Sequence, residues 1–113
     1  MPFINVKTNT HATQAQQTAL KTKLGQAITA IPGKSEDWLM VGIESDHALW
    51  FKGGEEPAAM VEVSIFGNAS HNALSTLTSH ITGILGDTLG ISSDRIYVKY
   101  SETENWGWNG SNF

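Results

Sequence analysis

The sequence predicts an α/β fold in which a duplicated βαβ unit forms a four-stranded mixed sheet with two helices on one face. Three observations carry that reading. Residues of matching character recur at one constant spacing, Gly33 with Gly90, Asp37 with Asp94, Val41 with Val98, Leu20 with Leu77 and Val6 with Val63, and a fixed period marks a repeated structural unit. Each half runs strand, helix, strand. Each helical pattern also opens on a hydroxyl residue, Thr13 or Ser70, at the same spacing.

Phe3 to Thr8 alternates, with Ile4 and Val6 on one face and Asn5 and Lys7 on the other, the signature of a half-buried strand. Thr13 followed by Gln16 is a capping box, in which each side chain satisfies a backbone N–H near the helix start. Leu20, Leu24, Ala27, Ile28 and Ile31 then form an apolar stripe, and Pro32-Gly33 ends it. Trp38 to Ile43 reads as a second strand, Ala48 to Phe51 as a short edge strand, and Lys52 to Pro57 as a turn-rich loop. In the second half, Ala58 to Ile65 is a strand, Leu74, Leu77, Ile81, Ile84 and Leu85 stripe the second helix, and Arg95 to Tyr100 is a strand. Within each unit the helix crosses between parallel strands, so both helices cover the same sheet face. The other face is left open, and self-association is the expected way to cover it.

At 113 residues with 40% hydrophobic and 16% charged, the chain is expected to form one domain, residues 1–113. Its formal charge is −4, with seven Lys+Arg against eleven Asp+Glu and no basic run, which argues against nucleic acid as a partner. No apolar run approaches the roughly 20 residues of a membrane span, and no export signal is visible; a cytoplasmic location is expected. There are no cysteines, so disulfides, thiolate metal sites and thiol redox chemistry are excluded together. His11, His47, His71 and His80 lack metal-ligand spacing and are expected on the surface. Neither a metal nor another cofactor is expected.

The polar equipment is confined to the first half. Pro2 faces Ala59 in the repeat and Lys34 faces Ile91. Removal of Met1 would leave Pro2 as a free secondary amine at the head of a strand, and such an amine is a base.

Met1-Pro2, Gly33-Lys34, the Phe51-to-Pro57 loop, Ser64 to Gly67, Asp94 to Val98 and Trp106 to Phe113 together resemble macrophage migration inhibitory factor and its tautomerase relatives, from end to end at nearly the same length. The resemblance implies a trimeric tautomerase-like fold whose sheets enclose a central channel. It also implies active sites between subunits, with the N-terminal proline as base in a keto–enol tautomerisation. Carried over by position, the site is Pro2, Lys34 and Phe66 from one subunit with Tyr97 and Lys99 from the next, walled by Trp38, Trp106 and Trp108. Three departures stand out. Lys99 occupies a position where the family usually has asparagine, Phe66 replaces a smaller aliphatic residue, and Ala58-Ala59-Met60-Val61 replaces the Cys-x-x-Cys of vertebrate members.

The chemistry has an independent physical basis. Proton removal next to a carbonyl needs a neutral base whose pKa lies near the working pH. A primary α-amino group sits at roughly 7.7–8.0 and a prolyl amine intrinsically higher. Apolar walls and a nearby Lys34 cation both lower it, and about two units correspond to roughly 3 kcal/mol. Lys34 could also bind the carboxylate or carbonyl of an α-keto acid and stabilise the developing enolate. Each residue has a plainer reading as well. Lys34 fits a solvated position at a helix C-terminus, Trp106 and Trp108 fit interface packing, and Tyr97 with Lys99 fits an exposed strand edge.

Three function classes follow. The first is an isomerase of phenylpyruvate-like or dopachrome-like acids. The second is a cytokine-like ligand for a protein receptor, since the family includes cytokines secreted without a signal peptide. The third, hydration or dehalogenation of unsaturated acids, relies in relatives on arginines, and this chain has only Arg95.

Overall fold

In the computed structural model, which describes residues 1–113, the two halves meet along their first strands. Strand β1 (Pro2–Thr8) and helix α1 (Gln14–Ala27) lead to β2 (Met40–Glu44); β3 (Ala59–Phe66) and helix α2 (His71–Leu89) lead to β4 (Ile96–Thr103). The sheet order is β2-β1-β3-β4. Parallel pairs lie within each half, and the antiparallel pair β1–β3 joins them with Ile4 opposite Val63 and Val6 opposite Val61. This is the mixed sheet the repeat predicts. A short hairpin, β5 (Gly107–Trp108) and β6 (Ser111–Asn112), closes the chain.

The alternation of β1 and β3 decides which face the helices cover. Ile4, Val6, Val61, Val63 and Ile65 are buried under Leu20, Leu24, Leu77, Ile81 and Leu85 in a core of 15 residues drawn from both halves. The intervening Phe3, Asn5, Lys7, Met60, Glu62 and Ser64 are only partly covered, and Tyr97 and Lys99 are exposed. Thr13 and Gln16 form the expected capping box. Gly90, with φ of 71°, ends α2 in the left-handed conformation that glycine adopts without strain. The Tyr100 hydroxyl donates to the Leu74 carbonyl at 2.9 Å and bonds Thr78 at 2.7 Å, fastening α2 to β4. Leu77 is fully buried between the layers. Leu77→Ala is expected to lower unfolding stability by about 2–5 kcal/mol, read as a shifted urea midpoint at unchanged slope.

Two local expectations are corrected. Ala48 to Phe51 is not an edge strand; its only bridge is Phe51 with Gly54 across a tight turn. Lys52 and Gly53 take φ of 53° and 75° there, the conformation of a two-residue turn with both central residues at positive φ. The backbone carbonyls of this segment are taken by side chains instead of a strand. Asn9 Nδ2 donates to Leu49, Glu55 and Glu56, and Arg95 donates to Phe51, Glu56 and Pro57. The second strand begins at Met40, not Trp38. Ser35 caps a 3₁₀ turn over Glu36–Trp38 by accepting from the Asp37 N–H, and that turn consumes the residues an extended strand would need.

Candidate active site

Pro2 starts β1, is buried, and pairs with Ile65. The carbonyl of Met1 accepts from the Phe66 N–H at 3.0 Å, so the N-terminus is tied to the end of β3. Lys34 reaches the same place from the α1–β2 connection. Gly33, at φ of 81°, turns the chain so that the Lys34 N–H returns to the Ile31 carbonyl. The Lys34 ammonium then donates to the Phe66 carbonyl at 3.0 Å. Placed there, it acts on the terminal amine of Met1. Burial first, then the Lys34 charge and its hydrogen bond, hold that amine below its ordinary value of 8.0, because each disfavours a second positive charge.

Beside the N-terminus opens a cavity of about 360 Å³ lined by Met1, Pro2, Trp38, Trp106 and Trp108. A run of aromatic contacts leads from its wall to Phe66, outside the cavity. The Trp38 and Trp108 rings meet edge to face at 5.3 Å, Trp108 stacks on Phe113 at 6.5 Å, and Phe113 lies 5.3 Å from Phe66. Phe113 was not among the site residues expected from the sequence. The hairpin brings it in: Asn109 and Gly110 both take positive φ, and the Phe113 N–H returns to the Trp106 carbonyl at 3.1 Å. The Asn-Gly pair flanked by Trp108 and Ser111 was the available signal, since that dipeptide favours a two-residue hairpin turn.

Six of the expected residues, Pro2, Lys34, Phe66, Trp38, Trp106 and Trp108, therefore gather at one end of the sheet. Tyr97 and Lys99 do not join them within the chain. Tyr97 pairs with Met60, near the end of β3 remote from Ile65, and lies on the outer strand β4. Its ring packs edge to face on Phe51 at 4.9 Å and lines a second, apolar cavity of about 180 Å³ with Trp50 and Met60. Lys99 is exposed opposite Glu62 on the sheet face that no helix covers. Arg95 is occupied by the carbonyls of Phe51, Glu56 and Pro57 and stacks over the Phe51 ring at 5.1 Å. It lines the second cavity with Tyr97, not the one beside Pro2. No group of three or more His, Asp or Glu side chains is placed to hold a metal ion, and all four histidines are exposed.

A terminal amine, an adjacent ammonium and an aromatic cavity on a doubled βαβ sheet define a small α/β protein with its candidate site beside its own N-terminus. Comparison with known proteins identifies its family. The profile of the macrophage migration inhibitory factor family matches residues 1–113, and the chain belongs to that family. It is 31% identical to the macrophage migration inhibitory factor of Meriones unguiculatus, covering 100% of this chain and 99% of that protein. It is 29% identical to the D-dopachrome decarboxylase of Bos taurus, over 94% of this chain and 90% of that one. The crystal structure of Leishmania major MIF2 superposes with a TM-score of 0.93 at 30% identity, covering 100% of this chain and 97% of the other.

Proposed function

We propose that the chain, once Met1 is removed, is a keto–enol tautomerase of phenylpyruvate-like or dopachrome-like acids, with the freed Pro2 amine as base. The carrying observation is the convergence of the N-terminus and the Lys34 ammonium beside an aromatic cavity. In this reading Lys34 holds the substrate carboxylate and carbonyl oxygen, and the ring lies among Trp38, Trp106 and Trp108. Neutral Pro2 takes a proton from the carbon next to the carbonyl. The electron pair moves onto the carbonyl oxygen, Lys34 stabilises that charge, and protonation of the oxygen gives the enol. The D-dopachrome decarboxylases among the relatives support including dopachrome-like acids. The decisive assay follows the ultraviolet change of phenylpyruvate with protein whose N-terminus has been checked by mass. No rate above background from the processed chain overturns the proposal.

The site is completed in a homotrimer, with Tyr97 and Lys99 entering from the next subunit. Two features support this: the sheet has one face without helices, and Tyr97 and Trp50, 60% and 59% exposed, flank an apolar cavity at the far edge. Exposed apolar patches of that kind mark interaction surfaces. Sedimentation at micromolar concentration is expected to give three chain masses. A monomer that retains full activity would exclude the intersubunit site.

A further inference from the structure

We propose that Asn109-Gly110, at the tip of the terminal hairpin, is a site of spontaneous deamidation, and that its isoaspartyl product dismantles the hairpin and withdraws Phe113 from Trp108 and Phe66. Of the asparagines in the chain, only Asn109 is followed by glycine. Glycine has no Cβ to crowd its own backbone nitrogen, so that nitrogen is the one best able to reach the side-chain amide before it. Both residues are exposed, and a Cβ placed on Gly110 would meet nothing within 4 Å. The Gly110 N–H takes no part in the backbone bonds of the turns and loops.

The reaction consumes nothing but water. The Gly110 nitrogen attacks Asn109 Cγ, and the new N–C bond displaces the side-chain nitrogen, which leaves as ammonia with the proton that Gly110 gave up. A succinimide ring remains. Water opens it at Cγ, restoring the normal chain with an aspartate, or at the backbone carbonyl, which routes the chain through Cβ and Cγ as isoaspartate.

The hairpin gates the first step. Asn109 and Gly110 are held at φ of 52° and 89°, the conformation of a two-residue turn, and cyclisation requires that turn to open. Strands β5 and β6 hold it with two residues each, Gly107 opposite Asn112 and Trp108 opposite Ser111. Phe113 closes it further, through its N–H bond to the Trp106 carbonyl and its ring against Trp108 and Phe66. A two-stranded hairpin is marginal in water, so it opens far more often than the core. The isoaspartyl link then lengthens by one carbon a turn whose length fixes the strand register, and the Phe113 bond cannot reform.

The test incubates the protein in mildly alkaline buffer at physiological temperature and follows each asparagine by peptide mapping and mass spectrometry. Asn68, exposed in a loop and followed by Ala69, is the internal comparator. Asn109 is expected to convert at least about tenfold faster, a barrier difference of roughly 1.4 kcal/mol, with isoaspartate exceeding aspartate. Phe113→Ala is expected to speed conversion severalfold by loosening the hairpin. In the purified isoaspartyl form the Phe113 N–H should exchange with deuterium far faster than in fresh protein, while Asn109→Asp, with the same charge on a normal backbone, keeps it protected. Conversion at Asn109 no faster than at Asn68 overturns the modification site. An unchanged rate in Phe113→Ala overturns the gating, and equal protection of Phe113 in the isoaspartyl and fresh forms overturns the loss of the hairpin. Protection lost equally in Asn109→Asp overturns the lengthened backbone as its cause.

Discussion

Protein that retains Met1 is expected to show no tautomerase activity above background, while the same chain beginning at Pro2 turns over phenylpyruvate. In the Met1 form the Pro2 nitrogen belongs to a peptide bond, and its lone pair is delocalised into the amide. It has no basicity to offer. A positioned general base contributes typically about 10²–10⁴-fold, and Met1 also lines the cavity the substrate would enter, so the loss should reach at least that range. The Met1 amine is held below its ordinary value beside Lys34, yet it is displaced from the Pro2 nitrogen by a whole residue. Mass spectrometry of each preparation, paired with the ultraviolet assay, gives the comparison. Equal activity in the two forms would rule out Pro2 as the base.

Lys34→Ala should cost roughly 10²-fold in kcat/KM and move the acid limb of the pH–rate profile to higher pH. The first effect is the loss of a charge aimed at the enolate, an order of magnitude typical for one such donor. The second has a definite sign. Lys34 repels the proton on the terminal amine, so its removal raises the amine pKa and a larger fraction of the base is protonated at any given pH. For the Met1 amine burial is the larger cause of the lowering, so that amine should still titrate below its ordinary value in the variant. The Met1 form offers a direct reading, because its amine can be titrated by NMR and should rise toward, without reaching, 8.0 when Lys34 is replaced. The same lowering gives that form a pH-dependent stability. The unfolded chain binds the proton more readily, so stability rises with pH through the window between the lowered value and 8.0. Lys34→Ala also removes the bond to the Phe66 carbonyl. Lys34→Arg, which keeps a charged donor, should recover part of the rate if charge is the cause and little if Lys34 serves only to brace that strand end.

The framework was legible because it depends on short-range patterns. The alternation of Ile4 and Val6 against Asn5 and Lys7, the Thr13–Gln16 cap and the matched spacing of Leu20 with Leu77 are all visible in linear order, and each translates directly into a buried face. Segments whose backbone is satisfied by distant side chains were not legible in that way. Ala48 to Phe51 has strand composition, but Asn9 and Arg95, remote in sequence, take its carbonyls and leave a loop with a tight turn. Trp38 looked extended until Ser35 capped the turn before it.

Sequence by itself determined the doubled βαβ unit, the covered and uncovered sheet faces and the candidacy of Pro2 and Lys34, since residue type and period suffice for those. Tertiary structure alone decided that the Lys34 ammonium meets the Phe66 carbonyl, that Phe113 links Phe66 to Trp108, that Asp37 lines the cavity, and that Tyr97 lies far from Pro2 along the sheet. The physical reason is common to all four: these placements depend on how a connection, a hairpin or an antiparallel register folds back in space, and no local pattern encodes where a returning chain will arrive.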